Sequence, residues 1–286
     1  MGGASSQEIT LTKPESIEPY DSKREYRPTP LLFNKQHNSD TKQQKLSEYG
    51  IDRRVRVPPT LAQWTMHSSP IYNICKLRAQ YPNESVGGFG TAVIIGHSLG
   101  VTFVLTCAHN LIYVETDPET VVIDAQRAWL IIEKNTANGT EEIACCAVKD
   151  WVIHPRYKET ASTLHDLAVV RVLNNDTRFD LSRIEAIKLG DGDRIRYRGR
   201  QAKVVGYPGE YLGRTAGLYG MRGVIDIREY KKGDVVYYTD IDTSPGQSGG
   251  PIFAAAADED EEDDEKHDRH AIFDSFGDLI GVHTGG

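Results

Sequence analysis

A serine set among glycines, Ser248 in the segment Gly-Gln-Ser-Gly-Gly-Pro (246–251), is the strongest candidate for nucleophilic chemistry in this sequence. A serine hydroxyl is a poor nucleophile unless a base removes its proton and hydrogen-bond donors stabilise the resulting oxyanion. The glycines let the backbone turn tightly, so the N–H groups of Gly246 and Ser248 can point at one position. An ordinary serine in a glycine-rich turn is the alternative that this segment alone leaves open.

The base and the acid that such a serine needs must come from elsewhere in the chain. His109 follows the apolar run 101–105, and Asp166 comes directly before the apolar run 167–173. Each residue alone has an ordinary structural explanation, as a core histidine or as an acid in a turn. The three together occur in the order His, Asp, Ser, which is one of the established orders for a catalytic triad. We therefore predict Ser248 as nucleophile, His109 as base and Asp166 as the residue that orients the imidazole.

The elements that must hold these residues are predicted to be short strands. Apolar runs of four to ten residues alternate with glycine-rich turns, and no long helical period occurs, which is typical of a β-sandwich or of β-barrels. Asn138-Gly139 predicts a hairpin turn. The predicted strands are 71–77, 87–96, 101–107, 129–133, 143–148, 167–173, 201–206, 223–227, 235–240, 250–253 and 279–283.

Charge is concentrated in one place. The formal net charge is −8, and the run Asp258–Glu265 contains only acidic residues, which accounts for the whole imbalance. Such a block is usually a solvated loop, so we predict an acidic insertion near 256–270 within the second half of the fold. A basic stripe is missing from the sequence, so nucleic acid is not an expected partner.

The N-terminal part of the chain differs in composition from the rest. Residues 1–50 are polar and lack a sustained period, which predicts a disordered leader or propeptide. They contain no signal-peptide core, so we expect a cytoplasmic protein; secretion is the alternative if the true N-terminus differs. Gly2, with Ser6, fits the N-myristoylation pattern, which would give a weak membrane tether.

The cysteine usage agrees with a reducing compartment. The four cysteines do not form a metal-binding pattern, and two of them are adjacent in sequence. We expect free thiols rather than disulfides, and no metal site. The cysteines are Cys75, Cys107, Cys145 and Cys146.

Three sequence blocks resemble the trypsin/chymotrypsin superfamily of serine proteases, and Ile-His-Pro-Arg-Tyr (153–157) adds to the likeness. The blocks are Thr-Cys-Ala-His (106–109), Asp-Leu-Ala-Val-Val (166–170) and Gly-Gln-Ser-Gly-Gly-Pro (246–251). The resemblance covers residues 51–286. It implies an all-β domain of two six-stranded antiparallel barrels with the active site in the cleft between them. It also implies an endopeptidase that acts on polypeptides without a cofactor, and we expect a monomer. The likeness makes His97, His154 and His165 structural residues.

A narrower resemblance is to the glutamyl endopeptidase branch of that superfamily. It is carried by the segments 52–57, 206–209, 242–248 and 281–286. In that branch, the residues matching His283 and Thr243 line the pocket for an acidic side chain before the scissile bond. An imidazole and a hydroxyl can both donate hydrogen bonds to a carboxylate. Thr284, Gly285 and Gly286 would pair with the substrate backbone as an added strand.

Several departures from the family pattern leave alternatives open. Gln247 stands where trypsin-like enzymes carry an acid that binds a newly freed N-terminus. Asp242 lies six residues before Ser248, where trypsin carries the acid that selects arginine or lysine, so basic specificity is the rival. We favour acidic specificity because His283 would lie beside that pocket and partly neutralise Asp242.

Two further alternatives concern the whole chain. The sequence ends at Gly286, where family members continue through another strand and a helix, so an incomplete second barrel or a fragment is left open. A catalytically silent peptide-binding module is the alternative of another functional class.

Overall fold

The computed structural model describes residues 54–59, 70–82, 88–115, 121–190, 197, 199–230, 233–239, 241–255, 273 and 276–284. The predicted leader, Gly2 and the acidic insertion near 256–270 lie outside these residues. The strands in chain order are β1 (Val55–Arg56), β2 (Ile74–Gln80), β3 (Gly88–Ser98), β4 (Val101–Thr106), β5 (Ile112–Glu115), β6 (Val121–Asp124), β7 (Arg127–Thr136), β8 (Gly139–Ile153), β9 (Ala168–Leu173), β10 (Gln201–Gly206), β11 (Tyr219–Tyr230), β12 (Gly233–Thr239), β13 (Pro251–Ala254) and β14 (Leu279–Val282).

The first half of the fold is a closed barrel of six antiparallel strands, in the order β2, β3, β4, β9, β8 and β7. Strands β4 and β9 bury every second residue, as expected of strands with one face toward a core. Leu77, Val104, Trp151 and Val170 are buried together in this core. Burial of their apolar surface favours closure of the barrel.

The second half is a six-stranded antiparallel sheet in the order β1, β11, β10, β13 and β14, with β12 paired to β11. Val57, Val205, Tyr207 and Phe253 are buried in its core, which also includes Phe89 of the first barrel. Both halves therefore have the predicted six strands. Within the described residues, the first half is closed and the second is an open sheet.

Polar side chains join the two halves near β1. Asn135 Nδ2 donates to the carbonyls of Val57 (2.8 Å) and Leu218 (3.0 Å), and Asn135 Oδ1 accepts from the Leu218 N–H (2.9 Å). The Arg56 guanidinium donates to the carbonyls of Thr136 (3.0 Å) and Gly139 (2.6 Å) on the barrel side. These bonds link the barrel to the second sheet through backbone carbonyls of both halves.

The predicted hairpin forms, but its turn is shifted. Thr136 pairs with Gly139, so the two-residue turn is Ala137-Asn138 rather than Asn138-Gly139. Gly139 opens β8 with a φ of +123°, and a Cβ there would lie 2.5 Å from the Gly213 carbonyl oxygen. The glycine is therefore required by a contact with the second half and by its backbone angle, not by the turn.

The remaining elements are small. Strands β5 and β6 form a separate two-stranded hairpin, and the described residues include a six-residue α-helix, α1 (Pro155–Thr160), that begins with proline at its first position. No helix of the described residues is long and apolar enough to cross a membrane. The four cysteines are free thiols, as predicted.

Candidate active site

The candidate base, His109, lies in a short 3-10 helix (Ala108–Asn110) that follows directly after β4. Cys107 continues the strand in an extended conformation, with φ −75° and ψ 145°, before the chain turns. Cys107, Ala108 and Asn110 are buried, whereas the His109 side chain is 12% exposed. The chain thus anchors both sides of His109 in the core and leaves the imidazole at the surface of the barrel.

The strand register brings Asp166 to His109. Thr106, the last residue of β4, pairs with Ala168, the first residue of β9. Asp166 comes just before β9, after a 3-10 helix (Thr163–His165) that Ser162 caps by accepting a hydrogen bond from the Leu164 N–H. Because the strands are antiparallel, the end of one and the start of the other share one barrel rim.

Asp166 holds His109 at two points. Its Oδ2 lies 2.6 Å from His109 Nδ1, and its Oδ1 accepts the backbone N–H of His109 at 2.9 Å. The Asp166 side chain is 2% exposed. A buried carboxylate with two hydrogen bonds to one residue fixes both the ring orientation and the tautomer, with the proton on Nδ1 and the lone pair on Nε2.

Ser248 lies in a turn that packs against the first barrel, and two hydrogen bonds from the barrel hold the turn in place. The Ser248 carbonyl accepts from the Thr91 N–H (2.8 Å) and from Asn110 Nδ2 (2.9 Å). Asn110 is the residue after His109, so the serine and the His–Asp pair face each other across the junction of the two halves. No hydrogen bond joins Ser248 Oγ to His109 in the described part of the chain; such bonds are often long without substrate.

Glycines are required where this turn meets the barrel. Gly249 has a φ of +87°, and a Cβ there would overlap the Thr91 carbonyl oxygen and the Thr106 hydroxyl. Gly246 has a φ of +95°, and its Cβ would lie 2.6 Å from the Tyr207 carbonyl oxygen. Both positions need the left-handed region that glycine adopts freely. The Gly-Gln-Ser-Gly-Gly sequence is thus explained by close backbone approach.

Two backbone donors at the turn are unused. The N–H groups of Gly246 and Ser248 make no hydrogen bonds with the described residues, whereas those of Gln247, Gly249 and Gly250 each do. Gly246 and Ser248 are both buried. Buried N–H groups are rarely left unpaired, so these two are donors available to a ligand at this position.

The sequence analysis missed Asn110 and Thr91, which organise the junction. Asn110 Nδ2 also donates to Thr106 Oγ1 (3.0 Å), and Thr91 Oγ1 donates to the Gly246 carbonyl (2.8 Å). Both residues are 2% exposed or less. The sequence offered one indication of their role. Asn110 is a polar residue directly after the candidate histidine, and Thr91 is a polar residue within the run Gly-Thr-Ala (90–92).

His283 lies close to the candidate triad. Its backbone N–H donates to the Gly250 carbonyl (2.7 Å), and its carbonyl accepts from the Gly249 N–H (2.7 Å) and from Cys107 Sγ (3.0 Å). Burial, and to a smaller degree the nearby His109, lowers the pKa of His283 to about 4. The ring is therefore neutral at neutral pH and has no charge with which to offset Asp242.

The buried, neutral His283 makes folding stability depend on pH. As the pH falls from 6.5 toward 4, the unfolded chain binds a proton at this histidine and the folded chain does not. Stability is therefore lost on acidification across that window, by about 3 kcal/mol in total. Urea unfolding of the wild type and His283→Gln at pH 7 and pH 4 measures the effect. Carboxylates titrate equally in both proteins, so parallel losses in the two would contradict the assignment.

Of the other predicted specificity residues, the structure describes Asp242, Thr243 and Thr284. Thr243 and Asp242 are half-buried in the segment before Ser248, and the Asp242 N–H donates to Met221 Sδ at 3.0 Å. Thr284 is half-buried directly after His283 and makes no hydrogen bond within the described residues. Gly285 and Gly286 lie outside those residues. Thr243 and Asp242 therefore remain candidates, with His283, for reading the substrate side chain.

The remaining histidines have structural surroundings. His97 Nδ1 bonds with Thr102 Oγ1 (2.9 Å), and its Nε2 bonds with the Ile184 carbonyl (2.8 Å). His154 and His165 stack with ring centroids 4.9 Å apart, and His165 directly precedes Asp166 in sequence. These contacts agree with the structural roles expected for all three.

One group of metal-ligand types occurs among the described residues, formed by Cys107, His109 and Asp166. Burial raises the pKa of the Cys107 thiol well above its usual range, and Asp166 Oδ2 is already bonded to His109 Nδ1. A metal ion needs a thiolate and free lone pairs. The group therefore fits a hydrogen-bonded triad site better than a metal site.

A closed six-stranded barrel packed against a second six-stranded sheet is the architecture of chymotrypsin-like serine peptidases. The sequence profile of the trypsin-like peptidase domain matches residues 90–258, more than half of the 286 residues. The chain belongs to the trypsin-like peptidase family. It is accordingly a serine-type endopeptidase, a hydrolase that acts on polypeptides.

Solved structures share the fold at low sequence identity. A Glu endopeptidase in complex with MPD has a TM-score of 0.55 and 18% identity, covering 83% of this chain and 86% of that one. The protease Anisep from Arthrobacter nicotinovorans has a TM-score of 0.51 and 16% identity, covering 77% and 86%. The thermostable serine protease AL20 from an extremophilic microorganism has a TM-score of 0.50 and 16% identity, covering 77% and 87%. A search of curated proteins finds no match.

Proposed function

We propose that the chain hydrolyses peptide bonds through an acyl-enzyme on Ser248, with His109 as general base and acid. Asp166 orients the imidazole. The observation that carries the proposal is the pair of hydrogen bonds that Asp166 accepts from His109, at the junction where Asn110 Nδ2 donates to the Ser248 carbonyl. That arrangement leaves Nε2 of His109 as the acceptor for the serine proton.

In the first step, Ser248 Oγ attacks the carbonyl carbon of the scissile bond while its proton moves to His109 Nε2. The carbonyl oxygen becomes an oxyanion, which the unpaired N–H groups of Gly246 and Ser248 bind. When the carbon–nitrogen bond breaks, His109 returns the proton to the leaving amine. Asp166 offsets the positive charge of the imidazolium while it exists.

In the second step, a water attacks the acyl carbon and gives a proton to His109 Nε2. The same two N–H groups bind the second oxyanion. Its collapse breaks the ester bond, and His109 returns the proton to Ser248 Oγ. The products are an amine and a carboxylic acid, and the enzyme is restored.

For specificity, we propose a preference for glutamate or aspartate before the scissile bond. His283 lies beside the candidate triad and keeps one N–H as a neutral ring, and Thr243 offers a hydroxyl in the segment before Ser248. Both can donate to a carboxylate. The fold similarity to a Glu endopeptidase points the same way. A basic preference read by Asp242 is the alternative, because His283 does not carry a charge that would offset it.

A fluorogenic peptide library with each residue fixed in turn before the scissile bond tests this proposal. We expect cleavage after glutamate and aspartate, with His283→Gln lowering kcat/KM for these substrates by roughly tenfold or more. Asp242→Asn is the matched comparison and is expected to leave that preference unchanged.

The other outcomes of the library are equally informative. Cleavage after arginine or lysine that is lost in Asp242→Asn would give specificity to Asp242 and contradict the acidic preference. No cleavage of any peptide by a folded sample would favour the silent peptide-binding module.

A further inference from the structure

The side chain of Arg54, which is far away in sequence, contacts the turn that carries Ser248. The Arg54 side chain is only 4% exposed. Its guanidinium donates to Ser244 Oγ (2.9 Å) and to Gln247 Oε1 (3.3 Å). It also donates to Tyr211 Oη (3.0 Å) and forms an ion pair with Glu210 Oε1 (2.6 Å). One cation therefore bridges the segment before Ser248 to the loop after β10.

Gln247 lies within the turn and connects Arg54 to it, because its side-chain oxygen accepts a hydrogen bond from Arg54. It is 2% exposed and stands between the two residues whose N–H groups are unused. Its Oε1 accepts from the Ser244 N–H (3.0 Å) as well as from Arg54, and its own N–H donates to the Ser244 carbonyl (3.1 Å). The residues from 244 to 247 are thus closed into one compact turn around this amide oxygen.

The turn needs such a restraint. Gly246 and Gly249 give the backbone freedom at two positive-φ positions, and the buried N–H groups of Gly246 and Ser248 lack partners. Unpaired buried donors favour rearrangement of the turn unless other contacts hold it. A guanidinium pinned by Glu210 and Tyr211 provides rigid donors of fixed geometry.

We propose that Arg54 is a positioning residue that holds the turn 244–248 in the form that presents the two N–H groups to the oxyanion. This inference rests on the proposed function of Ser248. Because the restraint is a side chain of the chain itself, the turn is held without a cleavage that frees a new amino terminus.

Replacing Arg54 by methionine tests the role. A loosened oxyanion site affects the transition state more than substrate binding. We therefore expect kcat to fall about 10- to 100-fold, with KM changing less than about threefold. Arg56→Met is the matched control: Arg56 is also multiply bonded and two residues away, but its partners are the carbonyls of Thr136, Gly139 and Ala216. We expect folded Arg56→Met protein to have a kcat within about twofold of the wild-type value.

A second variant keeps the proposal testable if Arg54→Met does not fold. Gln247→Met removes the acceptor that links Arg54 to the turn and is expected to give the same loss of kcat. In the double variant the two losses should be less than additive, because both single variants remove the Arg54–Gln247 contact. A wild-type kcat in either folded single variant would overturn the proposal. If Ser248→Ala also keeps wild-type activity, the proposed function itself fails; if only the Arg54 and Gln247 variants keep it, the inference alone fails.

Discussion

Ser248→Ala is expected to lower kcat for a cleavable peptide by roughly 10⁵-fold or more. Without the hydroxyl no acyl-enzyme can form, and the remaining donors act only on a water molecule. Ser248 Oγ makes no hydrogen bond within the described part of the chain, so stability should change by less than about 0.5 kcal/mol. Steady-state kinetics together with urea unfolding measure both effects.

Ser182→Ala is a control for serine replacement in general. Ser182 lies in a 3-10 helix (Leu181–Arg183), and its N–H and hydroxyl both donate to Asp180 nearby in sequence. The kcat of the Ser182→Ala variant should equal that of the wild type. Retention of more than about a hundredth of the activity in Ser248→Ala, with a normal unfolding curve, would exclude Ser248 as the nucleophile.

Asp166→Asn is expected to lower kcat by about 10⁴-fold while leaving the fold intact. Asp166 accepts two hydrogen bonds from His109, one from the ring and one from the backbone. An asparagine side chain has one acceptor and one donor, so it favours the tautomer with the proton on Nε2. That tautomer cannot accept the serine proton. KM should change little, which steady-state kinetics will separate from the loss of kcat.

Asp180→Asn is the matched control for this change. Asp180 caps a 3-10 helix, is exposed, and bonds Ser182 and Asn174 rather than a residue of the candidate triad. We expect full activity from that variant. A loss of less than about tenfold in Asp166→Asn would mean that His109 is oriented by other contacts.

Most of the site could be predicted because its chemistry is carried by residue type and order. The glycines around Ser248 and the strand ends at His109 and Asp166 are local features. The register of β4 on β9, which brings the latter two together, follows from the antiparallel pairing of two apolar runs. Local patterns and one topology rule therefore suffice to select the three candidate residues and to bring His109 and Asp166 together.

The supporting contacts could not be predicted in the same way. Arg54 meets Gln247 across 193 residues of sequence, and Asn110 meets Ser248 across 138. Such pairs depend on how the second sheet packs on the barrel, which no local pattern specifies. The electrostatic state of His283 depends on its burial and on the nearby His109, whereas the sequence alone suggested a charged partner for Asp242.

Small elements were missed for a simpler reason. Helix α1 has six residues, too few to display a helical period, and Pro155 at its start resembles a turn. The β5–β6 hairpin exposes Val121, Val122 and Ile123, so its pattern does not alternate with burial. The hairpin turn moved by one residue because Gly139 is fixed by a tertiary contact with Gly213.

The central claim is that Ser248 is an activated nucleophile in the intact chain, and covalent labelling tests it most directly. The full-length protein would be treated with a fluorophosphonate and digested, and the modified residue located by mass spectrometry. We predict one label, on Ser248, that Asp166→Asn slows strongly and Ser248→Ala abolishes. A folded wild-type protein that remains unlabelled, or that is labelled elsewhere, would contradict the account.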